Sequence, residues 1–107
     1  MGTPNDSKSF QQMHGSPDTA IVVTAGASHA ETSALTLGQL YWITQKGAGG
    51  VHMSHGSAPS AATTDTYIPE GAIWPHTETL SGGKLSFVRG GTDDVSVYVT
   101  PMIGHGV

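Results

Sequence analysis

A chain of 107 residues with 15 glycines, no cysteine and a formal net charge of −4 has room for one hydrophobic core and no disulfide or thiolate metal site. Its few basic residues (Lys8, Lys46, Lys84 and Arg89) form no footprint that could neutralise a nucleic-acid backbone. Charged residues make up only 11% of the chain, against about a quarter in ordinary globular domains. A surface this poor in charge is either covered by neighbours in an assembly or built from Thr and Ser.

Residues 1–18 (MGTPNDSKSFQQMHGSPD) are polar, unpatterned and broken by Pro4, Gly15 and Pro17, the composition of an extended arm. The expected role of the arm is to bind a neighbouring chain, with Phe10 and Met13 as candidate contacts. It lacks the basic start and apolar stretch of a secretory signal. Asp6 stands where a myristoylation start needs Ser or Thr. No apolar run approaches the length of a membrane span, so no membrane partner is expected.

Residues 19–25 (TAIVVTA) predict a short apolar strand, and 26–33 (GASHAETS) a connector. Ser28 and Glu31 have capping-box spacing, but no helical apolar run follows, so at most one helical turn is expected there. Residues 34–45 (ALTLGQLYWITQ) form a second apolar block, in which Gly38 marks a bulge or a change of sheet. Beyond Gly38 both faces are apolar, which places the strand centrally or against a subunit. Residues 46–50 (KGAGG) predict a tight turn. In 51–55 (VHMSH), Val51 and Met53 share one face of a strand, and His52 and Ser54 the other. A small-residue loop leads to an extended piece at 67–71 (YIPEG). A further strand over 72–80 (AIWPHTETL) carries Pro75, which places it at an edge or bulge.

Residues 84–102 (KLSFVRGGTDDVSVYVTPM) carry the clearest pattern in the chain. Two period-two runs flank a Gly/Asp turn, which predicts a β-hairpin. Leu85, Phe87, Val95, Val97 and Val99 form its buried face, while Ser86, Ser96 and Thr100 face water or a partner. Pro101 closes the second strand or lies on an edge. Short strands at regular spacing predict an all-β fold: a small antiparallel β-sandwich, jelly-roll-like, over residues 19–107, preceded by the arm.

Three stretches, 64–71 (TDTYIPEG), 83–88 (GKLSFV) and 96–100 (SVYVT), carry a resemblance. From Gly38 to Met102 the chain resembles small structural proteins of tailed-bacteriophage virions. The shared residues are turn and core residues rather than reactive ones. The resemblance implies a virion protein, a capsid decoration or cement protein that binds the major capsid protein or another virion protein. A tail, baseplate or head-fibre component is the alternative within that class.

The chain spells no reactive site. His52 and His55 are the closest of its histidines, but an i, i+3 pair on a strand points to opposite faces and does not chelate. Asp93 and Asp94 lack the alternating carboxylates of a calcium loop. The glycine pairs open no helix, so they make turns rather than phosphate cradles. A Ser-His-Asp triad has no nucleophile elbow. No metal, no cofactor and no enzymatic activity are therefore expected. Tyr41, Trp42, Tyr67 and Trp74 are assigned, with Phe10 and Met13, to a partner interface, burial of the aromatics in the core being the plain alternative. Stacking of these aromatics on sugars, in a carbohydrate- or receptor-binding module, is the alternative from another class. The scarce charge and the two apolar faces over residues 40–43 predict a closed homo-oligomer, a dimer or trimer.

Overall fold

A computed structural model describes residues 16–103. These residues form β1 (Ser16–Pro17), β2 (Ile21–Ala25), β3 (Ala30–Glu31), β4 (Leu40–Lys46), β5 (Val51–Gly56), β6 (Thr66–Ile68), β7 (Trp74–Thr77), β8 (Lys84–Arg89) and β9 (Val95–Ile103). None of the described residues is helical, including those at 26–33. Phe10, Met13 and most of the expected arm lie outside the described residues. Its last residues meet the sheet: Ser16 and Pro17 pair with Ile103 and Met102, and beyond β1 the Asp18 amide donates to the Pro101 carbonyl at 3.0 Å.

The strands form two antiparallel sheets packed as a sandwich. In one, β9 lies between β4 and the successive β1 and β2, and β7 follows on the far side of β4. The other runs β3–β8–β5–β6. Both orders run the same way round, so the chain neighbours β2 and β3, β9 and β8, β4 and β5, and β7 and β6 hold matching places in the two sheets. This is the jelly roll, an antiparallel ladder folded over on itself.

That topology corrects the expected hairpin over 84–102. β8 and β9 never pair with each other. β8 pairs with β5 from Val51↔Arg89 to Gly56↔Lys84, and also with β3, while β9 pairs with β4 and β2. Residues 90–94 are an arch between sheets. Period-two alternation fixes which face of each strand is buried, but two strands can present apolar faces to a common core either side by side or facing each other across it. The expected tight turn at 46–50 is a second such arch. The two arches pack backbone against backbone: the Gly90 amide donates to the Gly50 carbonyl at 2.9 Å. A Cβ on Gly50, whose φ is +69°, would lie 2.5 Å from the Ile68 carbonyl oxygen. The Tyr67 hydroxyl donates to the Gly49 carbonyl at 3.0 Å and props this end of the sandwich.

Gly38 lies where the chain crosses from the side of β8 to the other sheet. Before it, the Thr32 and Leu35 amides donate to the Leu85 and Gly83 carbonyls; after it, β4 begins at Leu40. Pro75 is on β7, an edge strand, where its missing donor costs the ladder nothing. The core is formed by the inward sets, with Ile43, Ile68, Leu85, Phe87, Val95, Val97 and Val99 fully buried. Each such side chain contributes about 1.5–3 kcal/mol by its removal from water.

Ser86 departs from expectation. It points outward but is fully buried, and Val88 on the same face is nearly so. Residues 57–65 fold across the outside of this sheet, and the Ala61 amide donates to Ser86 Oγ at 3.0 Å. His29 Nδ1 lies 3.1 Å from the same oxygen, and His52 Nδ1 lies 3.1 Å from the Asp65 carbonyl oxygen. Among the described residues, nothing covers the outer face of the other sheet in this way.

Candidate functional site

Period-two geometry brings three ionisable side chains together at the end of the sandwich opposite the glycine arches. His55 follows Val51 and Met53 on the inward face of β5, opposite Leu85. His76 points inward from β7, opposite Tyr41 of β4. Glu78 lies two residues beyond His76, so an extended chain gives it the same side. β6 ends opposite Val51–Met53, so among the described residues no strand pairs with β5 on the far side of His55.

The Glu78 carboxylate lies between the two imidazoles. His55 Nε2 is 2.8 Å from Oε2, and His76 Nε2 is 3.0 Å from Oε1. An ionised carboxylate only accepts, so both ring N–H groups donate to it. The Leu80 amide donates to Oε2 at 3.0 Å. The two rings meet edge to face, with centroids 4.9 Å apart. The Glu78 side chain is fully buried, whereas His76 is 13% and His55 30% exposed. Gly83 permits the closure: any Cβ there would collide with the Glu78 carboxylate.

Burial pushes the Glu78 carboxyl up. The hydrogen bonds from His76 and His55, the Leu80 amide and the charge of His55 outweigh it and hold the group below its ordinary 4.5. A carboxyl whose folded pKa is depressed adds stability that is fully present above the unfolded value and is lost as pH falls through the folded one. In the metal-free protein the urea midpoint should therefore decline below pH 4.5, and Glu78→Gln should remove that part of the decline. Midpoints measured from about pH 6 to about pH 3 test this; parallel declines in both proteins would refute it.

Sequence spacing did not reveal this cluster. His52 and His55 do point to opposite faces, as expected, but the partners of His55 come from a strand in the other sheet. A local signal was present. His76 and Glu78, two apart on a strand, share a face, and His55 continues the apolar alternation of Val51 and Met53.

The aromatic residues assigned to a partner interface do not converge. Tyr41 is a core residue whose hydroxyl accepts the Thr36 amide at 2.8 Å, so it presents nothing to a partner. The β4 pattern puts it on the same inward face as Ile43. Tyr67 is 48% exposed, but its hydroxyl is bonded to the arch and its ring centroid lies 5.1 Å from that of His52. Trp74 is 38% exposed at the β7 edge, opposite Ile43. Trp42 is half-buried on the outer face of β4. Asp94 is bonded to Arg89 Nη1 at 2.9 Å across the 90–94 arch.

Trp42 belongs to an almost uncharged surface. Directly paired residues share a face, so the rows Val22–Tyr98–Thr44, Thr24–Ser96–Lys46 and Thr100–Trp42–Pro75 cover the outside of the sheet, with Leu40 beside Thr77. Lys46 is the sole charge among them, and Val22 and Leu40 are exposed. No family model matches this chain, and no curated protein or solved structure matches it.

Proposed function

We propose that this chain is a structural protein of a bacteriophage virion, a decoration protein that docks on the assembled head through the outer face of the β2–β9–β4–β7 sheet. The observation that carries this reading is the asymmetry between the two sheets: residues 57–65 cover one outer face, while among the described residues nothing covers the other, which is almost uncharged. The jelly roll serves many functions, so fold alone carries little weight. A protein that binds only the assembled lattice adds its binding free energy to that lattice.

Magnitude sets how the docking works. Four strands spaced about 4.8 Å apart, along the length of β4, present roughly 450 Å². That is about half of the ~800 Å² per partner in a standard interface. Residues 1–15 lead into β1 at the edge of this same sheet, and we assign them the remaining contact.

Co-sedimentation with undecorated heads tests the reading. Trp42→Asp should lower the bound fraction by about tenfold or more. Removal of residues 1–15 should do the same while circular dichroism shows the sandwich intact. Undiminished binding by both variants would overturn the assignment. Failure of the intact chain to bind heads, with binding to glycans lost in Trp74→Ala, would establish a carbohydrate-binding module instead.

A further inference from the structure

We propose that His55, His76 and Glu78 bind one divalent transition-metal cation, zinc by the chemistry of the donors, between the two sheets. The proposal does not rest on the virion reading.

Two imidazole nitrogens and one carboxylate are a ligand set that zinc takes, with a fourth position left for water. Magnesium and calcium prefer oxygen donors and are disfavoured here. Metal–ligand distances of about 2.0–2.1 Å in a tetrahedron place ligand atoms about 3.3–3.4 Å apart. The two imidazole–carboxylate separations are 2.8 and 3.0 Å, and the three ligand atoms lie within 4.8 Å of one another. The two contacts open by about half an ångström and the widest separation, at most 4.8 Å, closes by up to about 1.4 Å, a change within reach of side-chain torsions at the partly exposed His55. The cation takes the place of the Nε2 proton on each ring; a neutral imidazole then carries its proton on Nδ1, and a protonated one releases its second proton to solvent.

The surroundings suit a bound ion. The Leu80 amide fixes one carboxylate oxygen, the kind of outer contact that orients a metal ligand. His55 is 30% exposed and lies beyond the end of the short β6, which gives an ion an entry path and leaves room for the fourth ligand. His55 belongs to one sheet and His76 to the other, so the cation spans the sandwich and binds only the folded chain. The expectation of no metal ligand set rested on residues close in sequence; the fold supplies the set from separate strands. Because Glu78 is satisfied by hydrogen bonds without an ion, the site adds to a fold that forms without metal.

The test uses the full chain, stripped with a chelator and titrated with zinc by calorimetry. One saturable site is expected. At free zinc about a hundredfold above Kd, the melting midpoint should rise by about 10 °C or more, and magnesium should leave it unmoved. Cobalt should give the visible absorption of a tetrahedral centre. Loss of an outer-shell partner already weakens metal sites by about 10–100-fold, so His55→Ala and His76→Ala should each weaken binding by more than about tenfold. A variant in which His14, His29, His52 and His105 are all Ala should bind as the parent does. Circular dichroism checks each variant; if His76→Ala does not fold, the more exposed His55→Ala carries the test. Absence of saturable zinc binding, or zinc binding undiminished in His55→Ala, overturns the proposal.

Discussion

Phe87→Ala is expected to lower stability by about 3–5 kcal/mol, enough to move the melting midpoint down by about 15–30 °C. Phe87 is among the largest fully buried side chains in the protein. It lies on β8 with Met53 of β5 on one side and Ala30 of β3 on the other, and it faces the opposite sheet. A backbone held in a ladder on both sides cannot collapse into the vacated space, so the lost transfer energy and the cavity term both count. Domains of this size are stable by about 5–15 kcal/mol in all, so this one change removes a large share. Urea unfolding with an unchanged slope checks the value. Ser96→Ala, on the outer face, should stay within about 0.5 kcal/mol. A loss below about 1.5 kcal/mol for Phe87→Ala would mean that the two sheets do not close on this residue.

Glu78→Ala should cost the metal-free protein about 2–4 kcal/mol. The change leaves the Leu80 amide and the largely buried His76 ring nitrogen without their acceptor, and opens a cavity beneath Gly83. His55, more exposed, can turn to solvent. Relief from burying a carboxylate offsets part of the loss, which is why the figure stays below the sum of the parts. Glu78→Gln keeps the volume and one acceptor oxygen and should lose less than half as much. Denaturant midpoints in the presence of chelator give the order parent, Gln, Ala. If Glu78→Ala equals the parent, the hydrogen-bonded cluster contributes nothing to folding.

The faces of the strands were legible in the sequence, and the neighbours were not. Leu85, Phe87, Val95, Val97 and Val99 are buried as their alternation demands, and Pro75 lies on an edge strand. Pairing is not legible, because a Gly/Asp turn can close a hairpin or an arch. The choice depends on whether each strand finds better partners elsewhere, and β8 finds β5 and β3. Ser86 is buried by a loop of Ala, Ser and Thr whose composition predicts only irregularity. Tyr41 has the pattern of either an interface or a core residue, and only the second sheet decides it. The His55–His76–Glu78 cluster was hidden for the same reason, since it spans a gap that local spacing cannot see.

The position of β9 has a consequence for the chain as it is being made. β9 is the last of the described strands in order, yet it holds β2 and β4 together in the middle of their sheet. Strands β2 and β4 therefore emerge with no completed sheet to join and wait for β9. At about 5–20 residues per second, the interval from the end of β2 to the end of β9 is roughly 4–16 s. Throughout it, apolar strands with open edges are exposed, and long-range pairings of this kind form slowly even once every strand is present. The nascent chain thus depends on escaping capture by other chains until residue 103 is made.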